Sequence, residues 1–274
     1  MTISFSLGER GGDYLITVKT NGIVEPFGLH IVRDSEFGLL APLREYTEEL
    51  PGVDGEFYFG SDFGTGEHKL KMLNVGGFLT AVEKDALQSA VAAQLYALKE
   101  YDLLALEWVP DKVWRIRLTG KPDMPDIPGR VQLTISLKYQ PFRISVAENY
   151  LAGIEGAMQY KSVEMAEVLD PATDNHAILI NKGTVATPLK IEIVGAVTNP
   201  SVVVGSYILT YTGTLTSSDK LIIDTGALTA TFNGVNALGN LTGMTDIITL
   251  LPGGNNVTVP SAGITTFKWY DQWA

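Results

Sequence analysis

Cysteine is absent from the 274 residues. That removes disulfides, thiolate zinc sites, iron–sulfur clusters and a thiol nucleophile together. Histidine is scarce: His30, His68 and His176 are the three, and a His-based metal site is hard to build from so few. Positive charge is also short. Twenty Lys and Arg stand against 31 Asp and Glu, a net charge of −11. A grip on nucleic-acid phosphates needs clustered Lys and Arg, so the balance disfavours one. Membrane-length apolar runs are missing. The uncharged stretches 193–218, 225–245 and 247–267 are studded with Gly, Thr, Asn, Ser and Pro, where a membrane helix needs about 20 predominantly apolar residues. No membrane insertion is expected. The opening residues, MTISFSLGERGGDY, lack a basic segment followed by an apolar core and a cleavage site, so no signal peptide is expected. Without one, the glycosylation patterns at Asn240 and Asn256 read as chance.

What is present is ample apolar material, 45% of the chain with 19% charged. That suffices for a packed core and is too little charge for a disordered chain. The charge is uneven. Residues 1–174 hold 16 basic and 26 acidic side chains; residues 175–274 hold 4 and 5. The shift suggests two domains, 1–142 and 175–274, with 143–174 as a linker or extension.

In the first part, Asn21-Gly22 between apolar runs predicts a hairpin with a two-residue type I′ turn. An aromatic strand, Phe57-Tyr58-Phe59, follows the loop 51–56. Thr80-Ala-Val-Glu83 fits a capping box. Leu87, Val91, Leu95 and Leu98 then recur at helical spacing, helped by Ala90 and Ala97, with Lys84, Gln88 and Lys99 off that stripe. Trp114, Ile116 and Leu118 alternate with Arg115 and Arg117. Val131, Leu133, Ile135, Leu137 and Tyr139 alternate with polar residues, the pattern of a half-buried antiparallel strand that Pro141 should end. Three prolines in 121–129 argue against regular structure there and for a hairpin tip or contact loop carrying Met124.

In the second part, short alternating strands with turn chemistry predict a β-sandwich: Leu189/Ile191/Ile193, Tyr207/Leu209/Tyr211, 221–224, 227–232, 245–251 and 265–269. The predicted fold class is mainly β.

The sequence offers little chemistry. There is no P-loop, nucleophile elbow, HExxH or EF-hand loop. Gly64-Thr-Gly66 fails the dinucleotide pattern at its third glycine. The acids Glu48 and Glu49 are adjacent and so point to opposite faces of a strand, whereas a glycosidase needs two carboxyls converging across a bond. His68 beside Glu67 reads as a ligand or as a loop histidine. Trp269, Tyr270 and Trp273 read as a sugar-stacking platform or, by preference, as core. No catalytic residue, cofactor or metal site is assigned.

Several segments in this order resemble the distal tail protein (Dit) family of siphophage and prophage tail components. In the first half they are 50–56, the single helix followed by Trp114-Arg-Ile-Arg-Leu-Thr-Gly120, and Tyr139-Gln-Pro-Phe142. In the second they are the run from Asn181 to Gly195, Leu221-Ile-Ile-Asp-Thr225, Phe232-Asn-Gly234, Leu250 to Asn255, and Phe267-Lys-Trp269. The resemblance implies an N-terminal β-sandwich with one helix and a hairpin, and a C-terminal galectin-like β-sandwich. It implies a non-enzymatic homo-hexamer at the tail tip of the virion, assembled in the host cytoplasm. Its partners would be the major tail tube protein on one side and a tail-associated lysin or tail fibre protein on the other. DNA would pass through the channel without specific binding, and acid on the ring-forming half would repel it from the wall or line the rim. Phe57, Tyr58, Phe59 and Met124 are interface candidates, a core role for the aromatics being equally open. The alternative function is a carbohydrate-binding module built on the second domain.

Overall fold

The computed structural model describes residues 15–25, 27–38, 42–49, 56–97, 102–154, 157–159, 166–168, 176–244, 246–260 and 262–274. The loop at 51–55 and Leu98 of the helical stripe lie outside them. The chain divides into two compact units, Met1–Val146 with Ala274, and Ala147–Trp273.

The first unit holds β1 (Leu15–Val18), β2 (Ile23–Glu25), β3 (Leu29–Ile31), β4 (Leu43–Glu49), β5 (Glu56–Phe63), β6 (Gly66–Leu73), α1 (Ala81–Ala97), β7 (Asp102–Leu106), β8 (Val109–Asp123), β9 (Asp126–Ile127) and β10 (Arg130–Ser145). Seven of these strands run in the order β10-β6-β3-β2-β1-β7-β8, and β8 pairs back onto β10. The two layers expected from the sequence are thus opposite sides of one sheet that closes on itself. Only β1 and β7 are parallel among these neighbours. The strands β4 and β5 stand apart as a two-stranded ribbon.

Local chemistry explains these elements. The hairpin β1–β2 forms as expected, but its turn differs. Gly22 alone takes a positive φ, +84°, and its N–H donates to the Lys19 carbonyl at 2.8 Å while Lys19 N–H donates to Ile23. The loop is therefore Thr20-Asn21-Gly22, a type I turn closed by a left-handed glycine, not a two-residue type I′ turn. The capping box is present: Thr80 N–H donates to Glu83 Oε2 at 2.9 Å and Glu83 N–H to Thr80 Oγ1 at 3.3 Å. Val91 and Leu95 are buried and Leu87 packs beside them. Ala90 is exposed, so the stripe is narrower than the spacing suggested. Lys84 turns inward instead, with its ammonium on Asp126 and on the Ile127 carbonyl.

All five odd-numbered residues from Val131 to Tyr139 are buried. Pro141 does not end the strand; β10 runs on to Ser145. The register against β8 shifts between Tyr139 and Arg143, and a proline is tolerated where a bulge leaves its missing N–H unneeded. A second shift, between Thr134 and Ser136, carries β8 through Pro122. Part of the 121–129 segment is therefore strand, against expectation.

The second unit holds β11 (Asn149–Ile154), β12 (Ala157–Gln159), β13 (Ala166–Val168), β14 (His176–Asn181), β15 (Thr187–Val194), β16 (Val197–Thr198), β17 (Ser201–Val204), β18 (Tyr207–Tyr211), β19 (Thr214–Leu215), β20 (Lys220–Asp224), β21 (Thr229–Phe232), β22 (Val235–Asn236), β23 (Leu241–Thr242), β24 (Thr249–Leu250), β25 (Gly253–Thr258) and β26 (Ile264–Trp269). One sheet runs β12-β11-β26-β15-β20-β21-β22 and another β13-β14-β25-β17-β18-β23. They share one core, with Ile191, Leu221, Phe267 and Trp269 from the first sheet and Leu179, Val202, Leu209 and Val257 from the second. Asn149–Ile154, within the stretch expected to link the domains, pairs antiparallel with β26. Of the strand expected at 245–251, only Thr249–Leu250 forms among the described residues.

The loop after β14 is pinned by one side chain. Asn181 Nδ2 donates to the Val185 and Leu250 carbonyls at 2.9 and 3.0 Å, and its Oδ1 accepts from Gly183 N–H at 2.8 Å. Thr225 Oγ1 donates to the Ile248 carbonyl at 2.7 Å and accepts from Leu189 N–H at 3.0 Å. A buried side chain that replaces backbone ladder partners holds irregular segments against the sheet.

Candidate functional site

Among the described residues no three of His, Asp and Glu come together as a metal could require. The sequence-level candidates for chemistry fall elsewhere. His68 is fully buried, with its ring stacked on Tyr139 at 4.2 Å and edge-on to Trp114 at 5.3 Å. Its Nδ1 accepts from Gly38 N–H at 3.2 Å. Burial pushes its pKa down to about 4, which keeps the ring neutral in the core. Glu67 faces the opposite side of β6 and is exposed. His176 is exposed and bonded to Thr258 Oγ1 at 2.7 Å. Trp269 is buried in the second core, as the preferred reading had it, so it offers no sugar a stacking face.

The exposed surfaces carry more information. In the ribbon, Leu43, Tyr46 and Phe63 are exposed. Phe57 and Tyr58 lie opposite Glu48 and Thr47, and Phe59 falls at the register shift after Tyr46; their side chains lie outside the description. Met124 is half-buried and packs on the first core. A second exposed group was not legible as such. Val75, Phe78 and Val82 are 61, 81 and 79% exposed. Val82 is in the first turn of α1, and hydrogen bonds brace the loop of the other two: Asn74 Nδ2 donates to the Gly77 carbonyl at 3.2 Å and Leu79 N–H to the Gly129 carbonyl at 2.8 Å. The sequence signal was the apolar pair flanking Gly76-Gly77.

A third surface is polar. Outside β6, β10 and β8 lies a groove of about 520 Å³. Gln132, Thr134 and Ser136 of β10 form its floor, between Lys69 and Lys71 of β6 and Lys121 of β8. Asp34, Glu36 and Asp123 also line it. Cross-strand register continues the outer face with Lys138 beside Arg117.

The second unit has two unlike outer faces. On the β15 sheet, Glu192 accepts from Lys268 at 2.9 Å and pairs with Lys220 at 3.1 Å. Both ammonium groups hold its carboxyl below the usual range against the opposing effect of burial. On the other sheet Val203 lies opposite Thr258 and Ile208, and Ser201 opposite Thr210, a row without formal charge.

Residues 182–273 match the family model for the C-terminal domain of siphovirus-type tail components. Over that stretch, all of it in the second unit, the chain is similar to the Dit family of these tail components. The fold agrees over nearly the whole length. The SPP1 Dit (gp 19.1) protein, described as a paradigm of the hub adsorption apparatus in phages infecting Gram-positive bacteria, superposes with a TM-score of 0.63 at 12% identity. The match covers 90% of this chain and 94% of that one. The phage P2 baseplate in its activated conformation with Ca gives a TM-score of 0.43 at 8% identity, covering 88 and 90%. No curated protein sequence matches this chain.

Proposed function

We propose that this chain is a structural hub of a siphophage tail. Six copies form a ring at the distal end of the tail tube, and the ring joins the tube to the tip or baseplate and its lysin or fibre proteins. The carrying observation is the likeness of fold to SPP1 Dit across 90% of the chain, together with the tail-component match of its second unit. The first unit makes the ring. The partners are the tail tube protein on one side and a tail-associated lysin or fibre protein on the other, and DNA crosses the channel without specific contact. Its place is the virion tail tip, after assembly in the host cytoplasm.

Physical features support a part in an assembly. A two-stranded ribbon is marginally stable alone, and this one exposes Leu43, Tyr46 and Phe63. Large exposed apolar groups on braced loops mark contacts with other chains; Phe78 is one. Light scattering on the purified chain tests the ring. Six copies of 29.7 kDa give about 178 kDa, and a lone 29.7 kDa species at all concentrations overturns it.

A further inference from the structure

A strand that packs on a core hides every second residue. Strand β6 does so at its start, where Gly66, His68 and Leu70 are buried and Glu67 and Lys69 exposed. Strand β4 does not. Leu43, Arg44, Glu45, Tyr46 and Thr47 are all exposed, as is Pro42 before them. Both faces of β4 are bare over this run. The large apolar side chains Leu43 and Phe63, opposite one another, and Tyr46 are among those exposed.

The two strands of the ribbon differ as edges. Their register steps from Tyr46 opposite Gly60 to Thr47 opposite Tyr58, so Phe59 is an extra residue on β5. A bulge bends its own strand and spoils its edge for further pairing. Strand β4 has no extra residue. Its 7 residues make a regular edge, about 23 Å long at 3.3 Å per residue. Among the described residues β4 pairs with β5 alone.

Charge along the ribbon has one sign. Residues 1–146 hold 15 basic and 20 acidic side chains, net −5. Residues 43–63, the ribbon and its connecting loop, hold Arg44 against six acids, also net −5. Arg44 lies opposite Asp62, whose carboxylate accepts from Tyr46 Oη at 2.8 Å. Farther out, Glu49 lies opposite Glu56, with Glu48 beside it. Like charges directly opposite one another are destabilising, and a cation brought alongside relieves the repulsion.

A second copy has no matching strand to give. Basic residues alternate with apolar ones at Lys69-Leu70-Lys71 of β6 and at Arg115-Ile116-Arg117-Leu118 of β8. Strand β6 is already held between β3 and β10, and β8 between β7 and β10. The basic side chains outside the described residues, Arg10, Lys99 and Lys161, each have an acid within three positions. We propose that the open edge of β4 receives an extended basic segment of a different protein, added to the ribbon as a third strand. Main-chain hydrogen bonds to β4 supply the affinity and alternate side chains the selection. The cations of the segment lie on the face of Glu45 and its apolar side chains on the face of Tyr46. The contact needs no particular number of copies.

The test uses the full chain and a labelled peptide of alternating Lys and Val, as long as β4, followed by fluorescence anisotropy. The peptide should bind saturably, one per chain, and more weakly in added salt. The same peptide with every amide N-methylated keeps its charge and loses every ladder donor, and should bind at least about tenfold more weakly. A peptide of alternating Glu and Val should not bind. Glu45→Lys with Glu49→Lys should weaken the Lys–Val peptide by about tenfold or more, and the milder pair Glu45→Gln with Glu49→Gln by a smaller factor, with circular dichroism reporting that each variant is folded. Equal binding of the N-methylated peptide marks diffuse attraction to acid and overturns strand addition. Unchanged affinity in both folded variants, or no binding to the wild type, overturns it as well. A wild type that ignores the peptide, and whose mass in light scattering falls in the Glu45→Lys/Glu49→Lys variant, assigns the ribbon to a second copy and overturns the proposal without touching the ring reading.

Discussion

His68 lies flat on Tyr139, ring centroids 4.2 Å apart and planes 19° from parallel. Phe37 at 5.6 Å and Trp114 at 5.3 Å complete the surround, and the Arg143 guanidinium covers the Trp114 ring at 5.3 Å. Burial among these rings disfavours a charged imidazolium, and the fold keeps it neutral.

That arrangement predicts a pH-dependent stability. The His68 pKa is about 4 in the fold against 6.5 for an ordinary histidine. Above pH 6.5 both states hold it neutral and its contribution is constant. Below 6.5 the unfolded chain takes up a proton that the fold refuses, so stability falls until pH 4. The loss is about 3 kcal/mol in total. In denaturant titrations from pH 7 to 4, His68→Phe should flatten this part of the slope. An identical slope in the variant would count against the buried neutral imidazole.

Gly66 shares a rung with Tyr139. A β-carbon at Gly66 would lie 2.1 Å from Tyr139 Cζ and 2.2 Å from its hydroxyl oxygen. Gly66→Ala should therefore displace Tyr139 and destabilise the first unit by about 1–3 kcal/mol or more, the usual cost of overpacking. Paired with Tyr139→Ala, the clash is gone and the glycine substitution should cost far less. Thermal unfolding of the single and double variants measures the coupling.

Asn181 holds the loop after β14 by three hydrogen bonds in a buried site. Asn181→Ala strands the Leu250 carbonyl and the Gly183 N–H, and should cost about 3 kcal/mol, since each buried polar group left unpaired costs about 1–3. Hydrogen exchange should quicken at Gly183 and its neighbours.

Thr225 is buried and bridges Leu189 to Ile248 through its hydroxyl. Thr225→Val keeps the shape and removes both bonds, with an expected loss of about 1–3 kcal/mol. Thr225→Ser should recover most of it. A neutral valine variant in chemical denaturation would show that the hydroxyl contributes nothing net.

The legible parts of the fold were those that short-range chemistry dictates. The run from Val131 to Tyr139 alternates because every second side chain enters one core, and Thr80 with Glu83 caps a helix by its own hydrogen bonds. Pro141 misled because a proline forbids only one ladder bond, and the bulge beside β8 needs none there. Lys84 misled because its inward partner, Asp126, is 42 residues away. The stretch 143–174 reads from composition as a linker or extension, since only pairing with β26, over 100 residues on, reveals where Asn149–Ile154 belongs. The polar groove was invisible for the same reason: Lys71 and Lys121 become neighbours only through the register of β10 with β6 and β8. Phe57–Phe59 did fall on the ribbon, but nothing in their spacing announced that the ribbon would stand apart from the sheet.

The closure of β8 onto β10 bears on how such a chain survives its own manufacture. Sheets with open flanks recruit one another when a protein is made at high copy number, and the product is fibrous rather than annular. A closed path of seven strands gives neighbouring copies no flank to extend. In this unit the ribbon remains as a place where another chain could add a strand, and the carboxylates along it discourage one ribbon from stacking on another. A crowded pool of newly made copies then stays soluble until assembly begins.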